Sequence, residues 1–215
     1  MTLLESPTRL RAGRVFAKSE SEASLALMNQ MSERGHPEQP PPLVSDGGTG
    51  CADAMIAVWG QVPPHVGQPR KPTRKKASPM WMHLRVRKAR DEERRIVGLN
   101  YQVVFGDKDT VLAQLGGGTV YIERTHLTMR HSNARLTRKG LGFSKQLTAH
   151  KAMAAWEDLV YNLIKPLKTL QKPAAPESGR VWEPQTPAMA AGLSDHPWTF
   201  KELLTRIPIY VQQPP

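Results

Sequence analysis

Apolar and basic side chains alternate in the middle of the chain. Residues 82–87 (MHLRVR) follow a period of two, which predicts a half-exposed strand. Residues 95–105 are also strand-like, so we expect a hairpin with one basic face. Further strands are predicted at residues 10–17, after a turn at 6–8, and at residues 43–46, where the strand is very short.

Helical spacing of apolar residues alternates with these strands. Ser19 and Glu22 fit a capping box before a methionine-rich stripe, and Gly35 ends that helix. Shorter helices are predicted at 52–59 and at 110–115, the second one capped by Asp107. A long helix is expected between Ser144, as its N-cap, and residue 163. The alternation of strands and helices indicates an α/β protein.

One further helix, predicted at residues 120–139, holds a single carboxylate, Glu123, among arginines and a lysine. Leu127, Ala134 and Leu136 lie near helical spacing from Ile122 and give it an apolar face. On this pattern alone, a solvated face with weak ion pairs is favoured. The alternative is a metal-binding glutamate beside cations that hold a phosphate backbone.

Composition changes this picture toward a polyanionic partner. The 215 residues carry a formal net charge of +11 and 39% hydrophobic residues, with 19 prolines and 16 glycines. We therefore expect a small core, several loops and attraction to nucleic acid rather than to a membrane. Cys51 is the one cysteine, and no apolar run approaches 18 residues. These features predict a cytoplasmic, nucleoid-associated protein.

Two other segments carry candidate chemistry. Asp46 ends the short strand predicted at 43–46, and it is either a strand-end catalytic position or part of an ordinary Asp-Gly turn. Residues 61–79 contain five prolines, so they cannot form a regular helix or a central strand. This segment is either a DNA-contacting loop or a solvated linker. Its basic residues are Arg70, Lys71, Arg74, Lys75 and Lys76.

Long motifs, in consistent order, give the chain a family resemblance. IERTHLTMR followed by NARLTRKGLGFSK resembles the C-terminal half of transposases of the insertion sequence one type. LVSDG at 43–47 and WEPQTPAMAAGLSDHPWTFKELL at 182–204 resemble members of the same group. The resemblance implies a ribonuclease H-like mixed sheet with flanking helices over residues 1–170, a linker at 171–181 and a C-terminal tail at 182–215. Trp182, Trp198, Phe200, Leu203 and Leu204 are the tail residues expected to pack.

The resemblance also implies a DDE enzyme that cuts and joins DNA. Asp46 and Glu123 match two of its three acids, which would bind Mg²⁺ or Mn²⁺. Double-stranded DNA, as element ends and target, would be the partner. Its phosphates would be held by Arg124, Arg130, Arg138 and Lys139 and by the basic residues of the 61–79 segment. His126 would orient a ligand or a phosphate, or else bond within the fold.

The third acid is the missing part of this resemblance. In the family it lies on the first strand of the sheet, and residues 1–6 align with the turn between the second and third strands instead. Glu5 lies near that turn and would point elsewhere. We therefore expect a truncated sheet with an open edge, and a fragment that is inactive unless an upstream polypeptide completes it. A homo-oligomer is the other partner considered. The alternatives are a non-catalytic basic DNA-binding protein derived from such an element, or a basic RNA-associated protein.

Overall fold

The computed structural model describes residues 1–48, 50–65, 71–115, 119–137, 141–142 and 144–206. Helices and small sheets are mixed, as the sequence predicts for an α/β protein. The chain divides into two compact units. The first unit contains Met1–Leu3 and Ala12–Thr125, and the second contains Leu4–Arg11 and His126–Pro215.

A three-stranded sheet is the centre of the first unit. Strand β3 (Leu43–Ser45) pairs in parallel with β4 (His83–Arg90), which pairs antiparallel with β5 (Ile96–Phe105). This order, β3-β4-β5, makes β3 an edge strand of the described sheet. At the N-terminus β1 (Thr2–Leu4) and β2 (Arg11–Arg14) form a separate two-stranded sheet. The sequence predicted β2 and the turn before it but missed β1.

Helices cover both faces of the three-stranded sheet because its side chains alternate between two apolar clusters. On one face α1 (Glu20–Arg34) and α2 (Gly50–Trp59) pack with Trp81. On the other face α3 (Lys108–Leu115) buries Val111 against Leu84 and Val86. The predicted capping signals are confirmed: Ser19 Oγ accepts from Glu22 N at 3.2 Å, and Asp107 accepts from Thr110 N at 3.0 Å.

Helix α4 (Val120–Ser132) differs from its prediction in length and in its buried face. It ends at Ser132 because Asn133 accepts a hydrogen bond from Arg135 N and starts a short 3-10 turn at Ala134–Leu136. The predicted stripe is wrong at Leu127 and Ala134, which are exposed. Thr125, Met129 and Asn133 are the buried positions. Polar side chains thus occupy part of the buried stripe, which an apolar pattern cannot detect.

The second unit is built on helix α5 (Leu147–Leu159), which continues as a π-helical turn at Val160–Ile164. The predicted cap at Ser144 is wrong, since α5 begins after Gln146, whose side chain makes no capping bond. Short elements follow from Lys168 onward, at the end of the predicted domain and through the segments predicted as linker and tail. They are 3-10 turns at Lys168–Leu170 and Pro176–Ser178, strands β6 (Lys172–Pro173) and β7 (Trp182–Glu183), and helices α6 (Pro187–Ala190) and α7 (Phe200–Arg206).

The residues expected to pack from the C-terminal segment behave differently from one another. Leu203 is fully buried, whereas Trp182, Phe200 and Leu204 are exposed. Phe200 nevertheless stacks on Trp156 with ring centroids 6.3 Å apart. Over residues 182–206 the segment is therefore an ordered part of the second unit, in which Thr186, Pro187, Ala188 and Leu203 are fully buried.

Candidate functional site

Asp46 lies directly after the carboxyl end of β3, with its side chain exposed. Its Oδ1 atom accepts a weak hydrogen bond from Gly48 N at 3.4 Å, the geometry of an Asp-Gly turn. Ser45, the residue before it, lies opposite Arg85 of β4. The sheet therefore fixes the backbone at this position, and the carboxylate is left at the sheet edge.

A buried polar pair supports the strand end. Ser45 Oγ and His83 Nε2 are 2.8 Å apart, and the His83 side chain is fully buried. Burial lowers the pKa of His83 to about 4, and the nearby charge of Arg85 contributes in the same direction. The imidazole is neutral at pH 7 and holds the last residue of β3 in place.

Glu20, at the first position of α1, is the acid that the structure brings beside Asp46. A Cβ atom added at Gly48 would collide with the Glu20 carboxylate and lie 3.5 Å from Asp46 Oδ1. Burial raises the pKa of the Cys51 thiol. A hydrogen bond with Ser24 acts against this shift, and the carboxylates of Asp46 and Glu20 add to it. Sequence reasoning missed Glu20, because acids are common in the first turn of any helix.

Glu123 is held on α4 by two hydrogen bonds. Lys88 Nζ of β4 donates to its Oε2 at 2.8 Å, and the Thr119 hydroxyl donates to its Oε1 at 3.2 Å. The side chains of Lys88 and Glu123 are 38% and 48% exposed. The ion pair therefore joins a helix to a strand across a solvated surface, and the carboxylate remains accessible.

Both predicted acids are tied to the same end of the sheet. Because β3 and β4 are parallel, their carboxyl ends share one edge. Arg87 donates to the Gly47 carbonyl at 3.3 Å beside Asp46, and the next residue, Lys88, holds Glu123. Neighbouring strand residues point to opposite faces, so these two contacts leave β4 on opposite sides.

The basic 61–79 segment has some order of its own. Gln61 and Lys76 exchange backbone hydrogen bonds of 3.1 and 2.9 Å, which closes the segment at its base. Lys75 Nζ donates to the Ala57 carbonyl at 2.6 Å, near the carboxyl end of α2, where a cation is favoured. Lys71 and Arg74 are exposed, and Arg70 lies outside the described residues.

The other predicted DNA contacts come from α4 and the segment after it. Arg124 and His126 are exposed and Arg130 is half-buried. Spacings of three and four residues place Glu123, His126 and Arg130 along one side of the helix. Arg124 belongs to the first unit, whereas His126 and Arg130 belong to the second. Arg138 and Lys139 lie outside the described residues.

The carboxylates present do not form a complete metal site. Asp46, Glu20 and Glu123 offer the oxygen ligands that Mg²⁺ prefers. Across the ranges that the structure describes, however, no three His, Cys, Asp or Glu side chains are grouped so that they could hold a metal ion. Lys88 also occupies one oxygen of Glu123. The arrangement fits a cation-lined surface better than a two-metal centre.

Comparison of the chain with protein-family models, with curated proteins and with solved structures gave no match. In the described part of the chain, no helix combines the length and the apolar character needed to cross a membrane.

Proposed function

We propose that this protein binds double-stranded DNA in the manner of the transposases that it resembles, and that its own acids do not complete a catalytic centre. The observation that carries the proposal is the accessible edge where β3 and β4 end. There the exposed Asp46 lies beside Arg87, which donates to the Gly47 carbonyl, and Lys88 is exposed on the opposite face of β4. Such an edge suits a phosphate backbone better than a small apolar ligand.

The topology of the first unit supports a ribonuclease H-like interpretation. A parallel strand pair follows helix α1, an acid stands at the end of β3, and a later helix brings a glutamate to β4. Strand β3 lies at the edge of the described sheet, which leaves the Asp46 turn open to a ligand.

Charge supports DNA as the polyanion. The net charge of +11 is carried in part by exposed side chains of the first unit, among them Lys71, Arg74, Arg87 and Lys88. Cations that neutralise phosphates release condensed counterions, and this release drives binding of any sequence. Association with chromosomal DNA would place the protein at the nucleoid.

Strand cleavage is expected to need a further acid. A divalent metal would supply an activated attacking oxygen and a stabilised leaving oxygen. The described residues supply no grouped set of three ligands. A second polypeptide, or a second copy, that contributes a carboxylate is the source we propose.

The test is DNA binding and DNA nicking measured side by side. We expect a fluorescent 30-bp duplex to bind in EDTA, without any divalent metal, and a supercoiled plasmid to stay uncut in Mg²⁺ or Mn²⁺. Asp46→Asn and Glu123→Gln should leave duplex binding intact, because neither removes a cation. Failure to bind any duplex would refute the proposal. Metal-dependent nicking that Glu123→Gln abolishes would show that the chain is a complete enzyme.

A further inference from the structure

The outer part of β4 and β5 is a two-stranded ribbon, residues 87–102, that extends beyond the packed sheet. Burial ends abruptly along β4: residues 83–86 are buried, whereas Arg87, Lys88 and Arg90 are exposed. Positions 96–102 of β5 are exposed as well. Apolar packing therefore explains the inner half of the hairpin but not the outer half.

The two faces of the ribbon differ in chemistry. Arg87 lies opposite Asn100, and Arg85 lies opposite Gln102, so these residues share one face by strand alternation. The opposite face carries Lys88 paired with Leu99 and Val86 paired with Tyr101. One face thus presents guanidinium and amide groups. We call it the polar face and define it by Arg87, Asn100 and Gln102.

The polar face is accessible, and a hydrogen bond holds its arginine in place. Beyond Arg87 and Asn100 the next cross-strand pair is Ala89 with Gly98, and a Cβ atom at Gly98 would meet nothing within 4 Å. Arg87 donates one N–H group to the Gly47 carbonyl, and a guanidinium has five N–H groups. Arg85, buried below, donates to Gln102 Oε1 at 3.4 Å.

We infer that the ribbon lies in the major groove of double-stranded DNA and reads base edges with its polar face. The inference rests on the DNA binding proposed above. The major groove admits a two-stranded ribbon, in which arginine pairs with the acceptors of guanine and asparagine or glutamine with the edge of adenine. The small Ala89–Gly98 pair leaves room for the base edges to approach.

The ribbon is connected to the turn that contains Asp46. Arg87 is bonded to the turn that contains Asp46, so a guanine read by Arg87 would lie close to that carboxylate. Base recognition by the ribbon would therefore set which phosphate of the duplex reaches the sheet edge. Residues that contact phosphates position a protein on DNA, whereas base contacts choose the sequence.

The test is selection of binding sites from a pool of random duplexes, followed by affinity measurements on the selected duplex. We expect the wild-type protein to enrich a motif that contains guanine and adenine. Arg87→Ala should lose discrimination at one position, and Asn100→Ala at another, each by about 5- to 150-fold. Affinity for an unselected duplex should fall by the same small factor for Arg87→Ala as for Arg95→Ala, because each variant loses one exposed cation.

Arg95→Ala is the matched control, because it removes the same charge from an exposed side chain that is paired with Glu93 near the tip. It should keep the full base preference. Binding to all duplexes without an enriched motif would refute the ribbon but leave DNA binding in place. An enriched motif that neither Arg87→Ala nor Asn100→Ala alters would refute it too. No binding to any duplex would refute both proposals.

Discussion

Two ion pairs of equal length show how differently the two units use charge. In the second unit Arg11 Nη1 lies 2.8 Å from Glu157 Oε1, with side chains that are 1% and 7% exposed. In the first unit Lys88 Nζ lies 2.8 Å from Glu123 Oε2, with side chains that are 38% and 48% exposed. Distance alone would rank the two pairs as equivalent.

Their surroundings separate them. Arg11 also bonds Asp158 at 3.0 Å and stacks on the Tyr161 ring at 3.8 Å, while Asn162 bonds the Arg11 backbone through both its amide atoms. Charged groups this deeply buried are stable only when they are paired, so the cluster around Arg11 stabilises the fold of the second unit. The Lys88–Glu123 pair contributes little to stability, because water screens it.

Replacing the glutamate of each pair by glutamine tests whether burial decides its contribution to stability. Glu157→Gln should lower the free energy of unfolding by about 3 kcal/mol, since it leaves buried Arg11 with less compensation. Glu123→Gln should change it by less than about 1 kcal/mol. Urea unfolding followed by circular dichroism measures both variants. Equal losses would show that exposure does not distinguish the pairs.

A pH titration extends the comparison to a buried titratable group in the first unit. The pKa of His83 is lowered from 6.5 to about 4 in the folded protein. Above pH 6.5 the imidazole is neutral in both states. As the pH falls toward 4, the unfolded chain takes up a proton that the folded chain resists, so stability should fall by about 3 kcal/mol.

His83→Gln is the control for that titration, because an amide can still bond Ser45 but cannot titrate. Its free energy of unfolding should vary less between pH 6.5 and pH 4 than that of the wild type. Parallel pH profiles for the two proteins would contradict a neutral, buried His83.

A smaller effect is expected from two apolar residues of α4. Met129 is 4% exposed and Leu127 is 51% exposed. Met129→Ala should cost about 2 kcal/mol of unfolding free energy, because it opens a cavity, and Leu127→Ala about 0.5 kcal/mol. Thermal unfolding of both variants checks the order. A larger loss for Leu127→Ala would restore the apolar stripe that the sequence predicts.

Local signals in the sequence predicted much of the fold. The caps at Ser19 and Asp107 and the alternation at 82–87 depend on residues a few positions apart, so a pattern contains them. The end of α4 depends on the Asn133 side chain, and its buried face includes Thr125; neither follows from apolar spacing. Glu20 beside Asp46 is a contact between residues distant in the chain, which needs the packed structure to be seen.

The proposed DNA binding through phosphate contacts is tested by the salt dependence of duplex affinity, because each such contact releases counterions. Between 50 and 200 mM salt we expect the affinity for a 30-bp duplex to fall about 10³-fold or more, linearly on logarithmic axes, if roughly six phosphates are neutralised. An affinity that stays constant over this range would contradict a DNA-binding surface built on the exposed cations of the first unit.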